Sequence, residues 1–236
     1  MLGQEAVAGK SSEITAIPLL LGRLELAGAL VTIDAIGCQT RIARAILARQ
    51  ADYLLAVKAN WPGVHAEIVR YFEDAPASAC DRHETTDGGH GRIEIRRHRV
   101  TRDVAWLTGD RRHPGEPRFP GLQAVGMVEA EVERAGAIGI ARRYFLSSMA
   151  LDAATFARAV RARSGIENRL LWVLDVVFRD DLARLRTGHG PENMATVRHM
   201  AMNLVREAHG KHSLKVRRRK AAWSHHYPQT LLRQTA

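Results

Sequence analysis

Two acidic residues fall where a carboxylate needs a reason to be. Asp34 follows the apolar run Ala29-Leu-Val-Thr-Ile33, which places it at the carboxyl end of a buried strand, where α/β sheets habitually set functional groups. Glu167 falls near one helical stripe with Phe156, Val160, Leu170, Leu174 and Val177, where an unpaired carboxylate is costly. Both have ordinary readings: a strand-end Asp caps turns and helices, and Glu167 can pair with Arg161, Arg163 or Arg169. The chemical reading is that two carboxylates on rigid elements suit Mg²⁺ or Mn²⁺, which take hard oxygen ligands. A third carboxylate would complete a two-metal site for a phosphodiester, one ion activating the attacking oxygen and the other stabilising the leaving one.

The elements that must position these acids are legible from periodicity. Pro18 to Leu26 predicts a short helix with Pro in its first turn, ended by Gly28. Ala29 to Ile33 and Tyr53 to Val57 predict buried strands. Thr40 can cap a helix bearing Ile42, Ile46 and Leu47, and Asn60 one bearing Val64, Ile68 and Phe72. That alternation predicts an α/β sheet. Residues 75–139 differ: Ile93 to Val100 and Ala124 to Val132 predict strands of a separate, more exposed sheet, with a loop from Gly109 to Gly121 between them. Ala141 to Ser147 predicts a strand returning to the main sheet. After Asp152, a plausible N-cap, the chain is helical, bent at Gly165; a further helix opens at Pro191, with Met194, Val197, Ala201, Leu204 and Val205 on one side.

Composition narrows the function classes. Lys plus Arg total 35 against 25 Asp plus Glu, a net charge of +10 that favours a polyanionic partner. Six Lys or Arg crowd into Lys211 to Lys220, predicting either a solvated charge run or a phosphate-binding tail. The two cysteines, Cys38 and Cys80, form no CxxC pair, and no histidine pair takes metalloprotease spacing. The longest apolar stretch, Ile14 to Leu30, is broken by Pro18, Arg23 and Glu25, and no signal peptide is visible, so a cytoplasmic location is expected.

Several segments together carry a resemblance. KSSEITAIPLL and GALVTIDAIGCQTRIARAI (Lys10 to Ile46), YLLAVKAN (Tyr53 to Asn60) and GHGRIEIRR (Gly89 to Arg97) are followed by RRYFLSS (Arg142 to Ser148). SGIENRLLWVLDVVFRDD (Ser164 to Asp181) and GPENMATVRHMAMNL (Gly190 to Leu204) complete the series. In order and spacing they resemble bacterial insertion-sequence transposases of the ISAs type, a branch of the DDE group with a ribonuclease-H-like catalytic core. The resemblance implies metal-dependent DNA cleavage and strand transfer, with double-stranded DNA as partner and Mg²⁺ or Mn²⁺ as cofactor. Asp34 matches the second catalytic Asp and Glu167 the catalytic Glu, both metal ligands. Asn168, Trp172 and Asp175 match supporting positions, with Asn168 expected to orient the site and Trp172 to pack its helix. Lys58, Arg92, Arg96 and Arg161 match candidate contacts to the DNA backbone.

The match also has departures. Arg163-Ser164 replaces the family's His-Trp, Leu171 a His, and Lys58-Ala59-Asn60-Trp61 its Lys-Gly-Asn-Gln. The family's first Asp lies in an Asp-Gly-Lys motif, and none occurs here. The expectation is an α/β chain with an N-terminally truncated ribonuclease-H-like core. Residues 1–74 would form the core's first part, 75–139 a β-rich insertion, 140–210 the second part with the Glu helix, and 211–236 a basic tail. A truncated copy would be inactive alone and prone to self-association through an unpaired sheet edge. The alternative reading is a non-catalytic DNA-binding or transposition-interfering fragment.

Overall fold

Two short apolar strands begin the sheet. β1 (Leu30–Ile33) and β2 (Asp52–Val57) pair in parallel, in the register Leu30↔Asp52 to Ile33↔Leu55. Their connection is α2 (Thr40–Leu47), preceded by a 3₁₀ turn, Ala35–Gly37. The computed structural model describes Glu5, Val7 and residues 13–89, 92–108, 119–134, 137–166 and 170–233. These residues divide into two compact units, 2–161 and 162–236.

In the first unit, β3 (Asp81–Gly89), β4 (Arg92–Thr101), β5 (Ala124–Arg134) and β6 (Ala137–Ser147) form an antiparallel run. β6 pairs with β2, giving one six-stranded mixed sheet in the order β1-β2-β6-β5-β4-β3. The strands expected to form a separate sheet are therefore continuous with the main one. The reason is the length of β5 and β6: their Ala124–Ser147 end is apolar and buried, with β6 paired to β2, while the far half of β6 is exposed even where it is apolar, at Ile138 and Ile140. β6 meets β2 only from Tyr144 to Ser147, so residues 137–143 and their neighbours on β5, β4 and β3 run on past the carboxyl ends of β1 and β2. At ~3.3 Å per residue this projection is about 20 Å long.

Where β5 and β6 run alongside β2, both faces of the sheet are covered. α1 (Glu13–Arg23), α2 and α3 (Pro62–Asp74) lie on the face formed by Tyr53, Leu55, Val57, Val125, Met127, Tyr144 and Leu146. The short α4 (Ala105–Thr108) adds Leu107 to the same core. The other face, with Leu54, Ala56, Val128 and Phe145, packs on α5 (Ala153–Ile166) through Phe156 and Val160. Phe156 sits so close that a Cβ at Gly126 would meet its ring at 2.6 Å. α1 begins at Glu13, so Pro18 lies inside the helix and not in its first turn. Gly28 ends the following turn at φ +73, where its N–H donates to the Gln50 carbonyl at 2.9 Å.

In the second unit, α6 (Gly190–Glu207), α7 (Leu214–Trp223) and α8 (His226–Arg233) pack with a π-type turn, Val173–Val177. Phe178 N–H donates to the Val173 carbonyl five residues back. This winding breaks the expected continuous stripe: Phe156 and Val160 belong to one cluster, and Leu170, Leu174 and Val177 to another. α5 passes through Gly165 to Ile166, and the residues beyond it to 169 are outside those described. On α6 the buried positions are Met202 and Val205, while Val197 faces outward, contrary to the expected apolar side. No described helix is long and apolar enough to cross a membrane.

Candidate active site at the carboxyl ends of β1 and β2

Asp34 continues β1 by one extended residue, with φ −77 and ψ −176. Leu30 packs toward the α5 cluster and Val31 and Ile33 toward the opposite core, so the strand's alternation carries Asp34 to the α5 face. It is exposed, and although it precedes the 3₁₀ turn its side chain makes no cap hydrogen bond. The capping reading of this residue is thereby removed. What stands at the strand end is an uncapped carboxylate open to solvent.

The backbone beneath it is fixed by close packing. A Cβ at Gly37 would lie 2.3 Å from Ile33 Cγ2 and 3.1 Å from Ile17 Cδ1, so only glycine lets the turn fold back on β1 and α1. Cys38 is fully buried, and burial pushes its thiol up to about 12, which leaves it protonated and inert. The loop after β2 is tied to this turn twice. Asn60 Nδ2 donates to the Ala35 carbonyl at 2.7 Å, and Trp61 Nε1 to the Cys38 carbonyl at 2.5 Å. Asn60 Oδ1 also accepts from Lys58 N–H at 3.2 Å. Asn60 is thus no helix cap: Trp61 occupies that position for α3, as Gln39 does for α2 in place of Thr40. These two tethers were missed in the sequence, where Asn60 and Trp61 stood out as part of the matched segment in the loop just after β2.

Lys58 is the first residue past β2 and is exposed. Continuing the alternation of Leu54 and Ala56 puts it on the same face as Asp34, at the end of the adjacent strand.

α5 is aimed at this end of the sheet. Asp152 caps it, accepting from Thr155 N–H at 2.6 Å, and this bond holds the Asp152 carboxyl below its usual range. Ala153 N–H donates to Asp81 Oδ2 at 2.8 Å, at the start of β3. Further along β3, Arg161 Nη2 reaches Asp87 Oδ2 at 2.7 Å. Four antiparallel pairings separate β3 from β2, so β3 runs in the direction of β1 and β2, and α5 runs with it.

Asp87 holds a second guanidinium: Arg96 Nη1 is also 2.7 Å from Oδ2, while Arg96 Nη2 pairs with Glu94 at 2.6 Å. Arg96 and Arg161 therefore meet at one carboxylate: Arg161 fastens α5 to β3, at the sheet edge opposite β1, and Arg96 ties β4 to the same residue. Arg92 opens β4, and its side chain is outside those described. Glu167 and Asn168 also lie outside the described residues. Trp172 is 55 % exposed, so it does not pack the helix as expected; the π-type winding turns Val173, Leu174 and Val177 inward in its place. Asp175 is exposed, and its carboxyl is raised above the usual range by partial desolvation and by the charges of Asp181 and Asp180.

Among the described residues no three His, Cys, Asp or Glu side chains converge on a metal-sized site. Asp34 fits a hard cation as one oxygen ligand and needs a partner carboxylate from elsewhere.

A family described as "Transposase DDE domain" matches residues 1–204. The chain is 37 % identical over 238 residues to "Putative transposase YncI" of Escherichia coli O157:H7, covering 98 % of this chain and 60 % of that protein. It is 35 % identical over 243 residues to "H repeat-associated putative transposase YhhI" of Escherichia coli K12, covering 98 % and 62 % respectively. The chain thus spans about three fifths of the length of these curated relatives. No solved structure matches it. With a family match across most of its length and relatives aligned over nearly all of it, the chain belongs to the DDE transposase family.

Proposed function

We propose that this chain carries two of the three catalytic carboxylates of a bacterial insertion-sequence transposase of the ISAs type, Asp34 and Glu167. The observation that carries the reading is the uncapped, exposed Asp34 on the α5 face, with α5 directed toward the same end of the sheet. Glu167 follows α5 by one residue in sequence. The parallel β1–β2 pair with an antiparallel neighbour is compatible with a ribonuclease-H-like core, in which 75–139 is an insertion between 1–74 and 140–210.

In this reading Asp34 and Glu167 hold Mg²⁺ or Mn²⁺, which when bound supplies positive charge at the attacking and leaving oxygens of a phosphodiester. Asn60 and Trp61 keep Asp34 in register. Lys58, beside it, and Arg92 contact the DNA backbone. Arg96 and Arg161 are already paired with acids, Arg161 holding α5 to Asp87 and Arg96 tying β4 to β3. Asn168, Trp172 and Asp175 flank the Glu in sequence, and Trp172, being exposed, is available to DNA. The first carboxylate, from an Asp-Gly-Lys strand, comes from outside these 236 residues. The outer edge of β1 has no strand partner among the described residues, which suits such an addition. The protein acts in the cytoplasm.

A second reading, favoured by the same edge and by the basic C-terminal helices, is a DNA-binding fragment that interferes with transposition. Incubating the chain with element-end DNA and Mn²⁺, alone and with the Asp-Gly-Lys segment in trans, separates the two. Cleavage only in the mixture, abolished by Asp34→Ala, supports the catalytic reading. Binding without cleavage in both supports the fragment reading. Cleavage by the chain alone that survives Asp34→Ala refutes the assignment of Asp34.

A further inference from the structure

Residues 211–236 contain seven Lys or Arg and no Asp or Glu, so nothing within this segment neutralises it. α7 lies in the middle of the segment and buries none of its residues. The structure sorts its cations into two groups. Arg217 is used internally, donating to the carbonyls of Val205 at 3.1 Å, Arg206 at 3.3 Å and Gly210 at 2.6 Å, which closes the end of α6. The Arg218 guanidinium lies 5.5 Å from the Phe178 ring centroid, and Lys220 Nζ lies 4.7 Å from that of Tyr227. Lys215 and Arg219 are exposed and, among the described residues, take part in no such contact.

These two residues are four apart, and four further on stands Trp223, 80 % exposed. Four-residue spacing puts all three on one line along the outer face of α7. The step along the axis is about 6 Å, close to twice the ~3.4 Å axial rise per phosphate of one DNA strand. Each polar or aromatic member thus has a place on a phosphodiester backbone.

We propose that the Lys215–Arg219–Trp223 stripe is a sequence-independent contact to duplex DNA, the two cations on phosphates and the indole against the neighbouring sugar. The inference rests on the reading that DNA is the substrate, and it adds a site on the second unit to that reading. A phosphodiester backbone suits the stripe better than a lipid surface, because the outer face of α7 offers only Val216 and Trp223 as large exposed apolar groups.

The test is equilibrium binding of the whole chain to a random-sequence duplex between 50 and 300 mM KCl, without metal. Lys215→Ala/Arg219→Ala should reduce the slope of log K against log salt by about 1.8, from ~0.9 per phosphate contact. Arg184→Ala/Arg186→Ala, an equal loss of charge on exposed residues of the same unit, should leave the slope unchanged. Trp223→Ala should weaken binding roughly tenfold at every salt concentration with no change in slope, since an apolar contact releases no counterions. An unchanged slope in the first variant, an equal fall in both double variants, or loss of affinity for anionic vesicles and not for duplex would overturn the proposal. Because no cleavage is scored, failure of the catalytic reading leaves this result interpretable.

Discussion

The Asn60 side-chain amide donates to the Ala35 carbonyl at 2.7 Å, which ties the loop leaving β2 to the turn that follows Asp34. Since Asn60 Oδ1 also takes the Lys58 N–H, one side chain sets the spacing between the two strand ends that carry Asp34 and Lys58. Replacing it with alanine removes both bonds in a partly exposed loop. Asn60→Ala should cost about 1 kcal/mol in urea unfolding, and Asn60→Gln should not recover it because its longer stem misplaces the amide. Wild-type stability in Asn60→Ala would show that the tether is incidental.

Asp87 receives Arg161 and Arg96 on one oxygen, so Arg161 holds α5 to β3 while Arg96, from β4, shares the same carboxylate. The Asp87 side chain is 46 % exposed, which limits the effect to about 1 kcal/mol after screening. Arg161→Ala should lower stability by that order and should lose most of its effect in an Asp87→Ala background, as double-mutant coupling requires. The salt slope for duplex binding should not change. A fall of about 0.9 in that slope on Arg161→Ala would return this residue to the DNA-contacting set.

His98 is 3 % exposed, lies edge-on to Phe156, and is pushed below its ordinary value of 6.5, mainly by burial. The folded protein therefore resists protonating it, while the unfolded chain takes up a proton near 6.5. Stability should fall as pH drops through 6.5, because the unfolded state then binds more protons. His98→Gln should show a shallower decline between pH 7 and pH 5 than the wild type when melting temperatures are compared. An identical decline in both would assign the acid sensitivity to other groups.

The two apolar strands, the helix after each and the strand-end Asp were legible because their patterns are apolar and local, but only β2 is buried as expected: β1, at the sheet edge, is half-buried throughout. β3 was not legible, since Asp81 to Gly89 contains no large apolar residue. It is an edge strand held by side-chain ion pairs such as Arg97 to Glu84 at 3.1 Å, which no single-strand periodicity reveals. The joining of its sheet to the main one was hidden because β6 passes halfway along from exposed to buried while its sequence stays largely apolar at both ends, so hydrophobicity alone does not mark the half that meets β2. Asn60 was read as a helix cap because its side chain can satisfy either an N–H or a carbonyl, and only the fold brings Ala35 within its reach. Glu167 drew attention through an apolar stripe that the π-type turn interrupts, so its assignment stands on the matched motif.

The most direct measurement is to load the whole chain with Fe²⁺ in place of Mg²⁺, add ascorbate and peroxide, and map the polypeptide cuts made around the bound ion. A shared site predicts cuts near both Asp34 and Glu167, suppressed together by excess Mn²⁺ and lost at both places in either Asp34→Ala or Glu167→Gln. Cuts near one of these residues that persist when the other is replaced would contradict a common metal site and with it the central assignment.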